Sequence, residues 1–230
     1  MTLFQGWPGL DDVYRVLSRM VFHNFNPEDM RKPQRPEPGA LLASDGRNIA
    51  GVLRELQAAD APAGERVIAY LNAIGVSLDA IKPTSAGGYD VLDFLVNGTK
   101  SGTPRSFTAT MMSDGTMRAL GTLVSLMAAS SKQANRPSLV AIEEPETALH
   151  PAATGALFDA MKEASERTQV IVTCHSPDIL DQPGLDPDSI IVATNHDGQT
   201  HLGHVSAAKR DLLKQHLFTA GELLRLDQLD

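Results

Sequence analysis

Leu139-Val-Ala-Ile142 runs directly into Glu143-Glu144-Pro145-Glu146, and this junction decides how the chain is read. Four consecutive apolar residues between polar flanks fit a strand of a buried, parallel sheet. Carboxylates placed at the end of such a strand are costly to desolvate unless they have partners or a task. Glu143 would stand at the strand end, where it could hold Mg²⁺ directly or through water. Glu144 could act as a general base on a water molecule. The plain alternative is a solvated acidic loop that caps the following helix.

Working outward, a helix is expected from about Ala152 to Arg167. A second apolar run, Gln169-Val-Ile-Val-Thr173, ends at Cys174-His175-Ser176, and a third, Ser189-Ile-Ile-Val-Ala193, follows a loop. On the other side, the polar loop Ser113-Asp114-Gly115-Thr116 opens an apolar helix from about Met117 to Ala129. This alternation predicts an α/β domain with a largely parallel core sheet. Strands near 139–143, 169–174 and 189–194 are expected in one sheet, with helices near 117–129 and 152–166 packed on it. Ligands bind at the carboxyl ends of such strands, where both polar clusters fall. His175 could bond a phosphate oxygen or orient a water, or be a structural histidine in a strand–loop turn. The Ser113–Thr116 loop could offer backbone N–H groups and a partial positive charge to an anion. It could equally be an ordinary cap, with Ser113 or Asp114 accepting from the first helical turn.

The first hundred residues read differently. A helix is expected from Leu10 to about Phe25, with Asp11 and Asp12 at its start. Three prolines and a glycine mark residues 31–39 as a loop, and Asp45-Gly46 as a turn. Helices follow near Asn48–Ala58 and Gly64–Ile74. Residues 76–108 alternate apolar and polar positions, with Asn97-Gly98 as a hairpin-like turn, which predicts a small antiparallel sheet.

The bulk numbers set limits. A net charge of −8 over 230 residues argues against nucleic-acid or anionic-membrane binding driven by overall charge. DNA remains possible only through a local basic patch. The single cysteine, Cys174, allows no internal disulfide and fits a reducing compartment. No run of 18 apolar residues predicts a membrane span, and Met1–Asp12 lacks the pattern of a secretory signal. A cytoplasmic protein, with no membrane partner, is expected.

Taken together, the motifs resemble the C-terminal half of ABC-type ATPases, in particular the AAA-class ATPases related to RecF, SMC and overcoming-lysogenization proteins. Met112–Thr116 (MSDGT) resembles their signature loop, Ala141–Pro151 (AIEEPETALHP) their Walker B strand and D-loop, and Thr173–Pro177 (TCHSP) their histidine switch. Phe25-Asn-Pro27 and Leu42–Leu53 resemble the lid region, so the likeness spans nearly the whole chain. It implies a P-loop NTPase fold of ABC type, with a helical and small-sheet lid over residues 1–109 and the ATPase core over 110–230. It implies ATP and Mg²⁺ as cofactors. Glu143 would be the Mg²⁺-proximal acid, Glu144 the hydrolytic base and His175 the γ-phosphate contact. Ser113, Asp114 and Gly115 would face the nucleotide held by the other subunit of a head-to-tail dimer. His150 stands where many ABC D-loops carry Asp.

One part of the family pattern does not occur in these 230 residues: the P-loop, G-x-x-x-x-G-K-[ST]. Gly98-Thr-Lys100-Ser101 comes nearest but lacks the glycine before Lys100, and reads as a turn. The chain is therefore expected to be part of a longer protein, or to work with a homodimer mate or a separate P-loop lobe. Two other readings stand beside the ATPase. One is a non-catalytic dimerisation partner that lends its signature loop to another ATPase. The other is a metal-dependent hydrolase using Glu143, Glu144, His150, Cys174 and His175, which lack compact ligand spacing. A nuclease reading would need a Toprim domain. The residues after His175 are expected to hold only a hairpin and a helix.

Overall fold

The structure, a computed structural model, describes residues 9–96, 105–133 and 135–229. It divides into two compact units, Met1–Cys174 and His175–Asp230.

The first unit is built on a three-stranded parallel sheet of β1 (Met20–His23), β5 (Leu139–Glu143) and β6 (Gln169–Thr173), in the order β1-β5-β6. The register aligns Met20 with Leu139 and Leu139 with Gln169, and so on along the strands. Val21, His23, Val140 and Ile142 are buried. The helix α5 (Asp114–Ser130) packs on β5, and α6 (Thr154–Ser165) on α5 and β6. Ser113 starts α5 as its N-cap, accepting from the Thr116 N–H at 3.1 Å. Nearly every residue of α5 is buried, because α2 (Pro27–Arg31), α3 (Ile49–Ala59), α4 (Ala61–Ala73) and α6 also pack on it. Such a helix is apolar all round rather than striped.

The small antiparallel sheet is present as β2 (Ala80–Ala86), β3 (Tyr89–Val96) and β4 (Arg105–Thr108), in that order. Asp90 on β3 ties it to the helices. Its buried carboxylate takes a two-pronged bond from Arg54 on α3, at 2.7 and 2.9 Å, and its backbone exchanges hydrogen bonds with Gln34 at 2.8 Å. The Arg54 guanidinium holds the Asp90 carboxyl below the ordinary carboxylate range. The Asn97-Gly98 turn and the Gly98–Ser101 string lie outside the described residues.

Two expectations need correction. The helix expected over Leu10–Phe25 stops at Leu17, the end of α1 (Leu10–Leu17). Met20–His23 is instead a strand with alternating burial, because it pairs with β5. The third apolar run does not join the core sheet: β7 (Ile191–His196) pairs antiparallel with β8 (Gln199–His204) in a separate two-stranded sheet. A tight turn at Asp197-Gly198, both with positive φ, closes this hairpin, and local closure prevails over a parallel placement. Residues 20–23 contribute a strand to the same sheet as β5 and β6.

The second unit contains α7 (Pro177–Leu180), the β7–β8 hairpin, α8 (Ala207–Lys214) and α9 (Ala220–Arg225). It has its own core of Ile190, Val205, Leu213, Leu223 and Leu229. Where a hairpin and one helix are expected after His175, the described residues hold a hairpin and three helices, α7, α8 and α9.

His23 gives the first unit a pH signature. Its ring is 3% exposed and stacks on Phe25 with centroids 4.8 Å apart. Nδ1–H donates to the Ala43 carbonyl at 3.3 Å, so Nε2 accepts from the Ser125 hydroxyl at 2.8 Å. Burial lowers its pKa from 6.5 to about 4, against the opposite pull of the Ala43 carbonyl. Above pH 6.5 both folded and unfolded His23 are neutral and its contribution is complete. As the pH falls from 6.5 towards 4, the unfolded chain takes up a proton that the folded chain refuses. Stability should drop by about 3 kcal/mol across that window. Urea midpoints at pH 7 and pH 4.5 check this: His23→Gln should flatten the pH dependence relative to the parent, and equal slopes would remove His23 as its source.

Candidate functional site

The carboxyl ends of β1, β5 and β6 lie side by side, with Glu143 opposite Thr173 and His23 opposite Ile142. Asn24, the first residue after β1, donates from Nδ2 to Glu143 Oε2 at 2.7 Å. Glu143 is exposed at the sheet edge, as its place at a strand end dictates. A carboxylate there is a hard oxygen donor of the kind Mg²⁺ takes. Reading the sequence as helix through Phe25 hid Asn24. The signal that could have found it was the apolar run at Met20–Phe22 ending in polar residues.

Glu144 sits one step further on. Its N–H donates to the Thr173 carbonyl at 3.0 Å, carrying the β5–β6 ladder one residue past the strand. Its φ is +42°, the left-handed region, which costs a non-glycine residue about 1–2 kcal/mol. The Thr147 N–H donates to the Glu144 carbonyl at 3.0 Å, and Thr147 Oγ1 to Glu144 Oε2 at 3.1 Å. Ala148 also has a positive φ, +67°. The acidic segment is thus a tightly wound turn held at the end of a buried strand, not a loosely solvated loop.

The N-terminus of α5 packs against this turn. A Cβ built on Gly115 would lie 2.3 Å from the Ala148 carbonyl oxygen, so only glycine fits. Arg31, on α2, braces the same helix start. It donates to the Met112 carbonyl at 2.8 Å and pairs with Asp114 at 2.5 Å. Asp114 itself is exposed. The Ser113 hydroxyl is engaged as the cap and also bonds Thr116 Oγ1 at 2.9 Å. His150 Nδ1 accepts from the Ala152 N–H at 3.2 Å, so its ring hydrogen is on Nε2, and it caps the short 3₁₀ turn Pro151–Ala153.

The structure therefore brings Ser113–Gly115 and the Glu144–Ala148 turn together through the Gly115–Ala148 contact, and places Glu143 beside Asn24. His175 opens the second unit; it is exposed and lies two residues beyond the last residue of β6. Arg31, Asn24 and Thr147 are the residues of this region that the sequence did not reveal. Among the described residues, no group of three His, Cys, Asp or Glu side chains could hold a metal ion. None of their helices is long and apolar enough to cross a membrane.

The parallel sheet with helices packed on it, carrying its acidic turn at the strand ends, is the fold of ABC-type ATPase heads within the P-loop NTPases. The head of an SMC protein bound to the C-winged helix domain of ScpA superimposes with a TM-score of 0.54 at 14% identity, over 83% of this chain and 56% of that one. An SMC ATPase from work on ATP-driven dimerization and DNA-stimulated activation gives 0.49 at 14%, over 72% and 96%. The Pyrococcus furiosus Smc head with an extended coiled coil, bound to the C-terminal domain of ScpA, gives 0.48 at 11%, over 67% and 37%. This chain thus spans about half, or less, of two of these three proteins. No curated protein matches in sequence. The sequence model of the family described as "AAA domain, putative AbiEii toxin, Type IV TA system" matches residues 44–181, more than half of the chain, and the chain belongs to that family.

Proposed function

We propose that this chain supplies the hydrolytic side of an ATP-hydrolysing head, of the clade related to RecF, SMC and overcoming-lysogenization proteins. The observation that carries the reading is Glu144, directly after Glu143 at the end of a buried parallel strand, at the left-handed start of a turn whose Ala148 packs against Gly115 of α5. A backbone strain of this kind persists where the surroundings enforce it, and concentrates at working sites. Glu144 acts as the base that takes the proton from the attacking water. Glu143, oriented by Asn24, holds Mg²⁺, which when bound supplies charge neutralisation for phosphoryl transfer. His175 contacts the γ-phosphate. The start of α5, where Ser113 and Asp114 are exposed and Gly115 is buried, closes over nucleotide carried by a second head, with His150 at the same interface.

The residues present do not include the glycine-rich cradle and lysine that normally grip a triphosphate. In this reading another lobe provides them. The test is ATP turnover by this chain when joined to, or mixed with, a P-loop-bearing lobe of the same family. Turnover is expected in the combination, and calorimetry on this chain alone should detect no micromolar affinity for ATP–Mg²⁺. A combination that folds, binds nucleotide and never hydrolyses it would overturn the proposal.

The signature-loop assignment has its own check. Ser113→Arg removes the cap to Thr116, at a cost of about 1 kcal/mol, and places a bulky side chain at the start of α5. In the combined protein it should block ATP-dependent dimerisation seen by light scattering while leaving nucleotide binding intact. Normal dimerisation would return Ser113–Thr116 to the role of a helix cap alone.

A further inference from the structure

The edge of the core sheet opposite Glu144 carries a second concentration of charge. There the amino ends of β1, β5 and β6 are aligned at Met20, Leu139 and Gln169. Just ahead of these strands stand Arg19, Arg136 and Arg167, and Arg15 comes from the last turn of α1. With Ser138 and Thr168 they line a cleft of about 210 Å³, with no carboxylate in its wall among the described residues. Neighbouring strands run about 4.8 Å apart, so the register gathers segments distant in sequence within roughly 10 Å.

The cleft is built rather than loose. The Ser138 N–H donates to the Arg19 carbonyl at 3.0 Å, and its hydroxyl to the Val16 carbonyl at 2.6 Å. The Thr168 hydroxyl donates to the Ser138 carbonyl at 3.1 Å. Arg167 is steadied by the Ser130 carbonyl at 3.3 Å, a neutral acceptor. Arg15 faces Asp12 at 3.5 Å in an exposed pair. In a chain of net charge −8, four arginines around one cleft do not follow from composition. A bound anion would bring charge of the opposite sign to these guanidinium groups. Guanidinium forks match phosphate oxygens in two-pronged bonds. Among the described residues, no aromatic side chain lines the cleft to stack a base, and its arginines suit the phosphate itself.

We propose that this cleft binds a compact, multiply charged phosphate group of the pyrophosphate or terminal phosphate-monoester class. The site is separate from the Glu144 edge, and the proposal does not depend on the ATPase reading.

The test is calorimetric titration of the full chain with inorganic pyrophosphate in Mg²⁺-free buffer. Saturable binding is expected, weakened about tenfold or more by Arg136→Ala and by Arg167→Ala, and unchanged by Arg47→Ala, an exposed arginine elsewhere. Arg136 and Arg167 are exposed, so both variants should melt like the parent. If either fails to fold, backbone amide NMR shifts at Ser138 and Thr168 on adding pyrophosphate to the unaltered chain provide the same readout. Competition by a 5′-phosphorylated oligonucleotide would assign the phosphate to a nucleic-acid end; its failure to compete would assign it to a free polyphosphate. Either outcome supports the site. Absence of binding, or binding indifferent to Arg136→Ala, would overturn it. So would equal competition by the oligonucleotide without its 5′-phosphate, which would mark a surface for the phosphodiester backbone instead.

Discussion

Glu144→Gln, placed in this chain and combined with a P-loop-bearing lobe, is expected to slow ATP hydrolysis by about 100-fold or more while nucleotide affinity stays the same. General-base catalysis contributes about 10²–10⁴ in rate, and glutamine keeps the shape of the side chain while removing its basicity. The amide oxygen of glutamine can still accept from Thr147 Oγ1, which reaches Glu144 Oε2 at 3.1 Å in the parent. The turn should therefore survive, and the melting temperature should not move. This separates a chemical role from a structural one. Single-turnover hydrolysis measured alongside thermal melts checks it. Parent-like turnover would remove Glu144 from the mechanism, and slow turnover with a large fall in melting temperature would mark it as a structural residue of the turn.

Gly115→Ala should destabilise the chain, against the usual direction of that substitution. Within a helix, Gly→Ala ordinarily stabilises by about 1 kcal/mol through backbone entropy. Here the added methyl group would sit 2.3 Å from the carbonyl oxygen of Ala148, a backbone atom that cannot swing aside. Overpacking of this kind costs about 1–3 kcal/mol, so the melting temperature should fall by roughly 3–8 °C. Because the displaced atom belongs to the turn that begins at Glu144, turnover in the combined protein should fall with it. A Gly115→Ala protein as stable as its parent would show that α5 and this turn do not meet as described.

These two residues show how unevenly the site could be read beforehand. Glu143 and Glu144 were visible because two carboxylates follow four apolar residues, a pattern that burial makes expensive. Ser113 was visible as a helix start, since a hydroxyl before an apolar run satisfies the first free N–H groups. For Gly115, a glycine in a polar loop was evident but its reason was not. The atom that excludes a side chain there is a carbonyl more than thirty residues along the chain. The Asn24–Glu143 bond joins positions 119 residues apart, and no local pattern foretells such a pair.

The sequence by itself determined the elements whose signals are local: β5, β6, α5, α6 and the small antiparallel sheet. Apolar runs of strand length, capping residues and period-two alternation act over a few neighbours, and the chain obeys them. Tertiary structure decided what depends on distant partners. Met20–His23 became a strand because β5 offers it a parallel edge to pair with, although the residues before it continue a helical pattern. Ile191–His196 left the expected core sheet because the adjacent hairpin partner closes with little loss of chain entropy. The arginine-lined cleft exists only because strand register stacks three segments that the sequence keeps far apart. Hydrogen bonding between strands selects partners by geometry across the whole unit, and that selection is made only when the chain has folded.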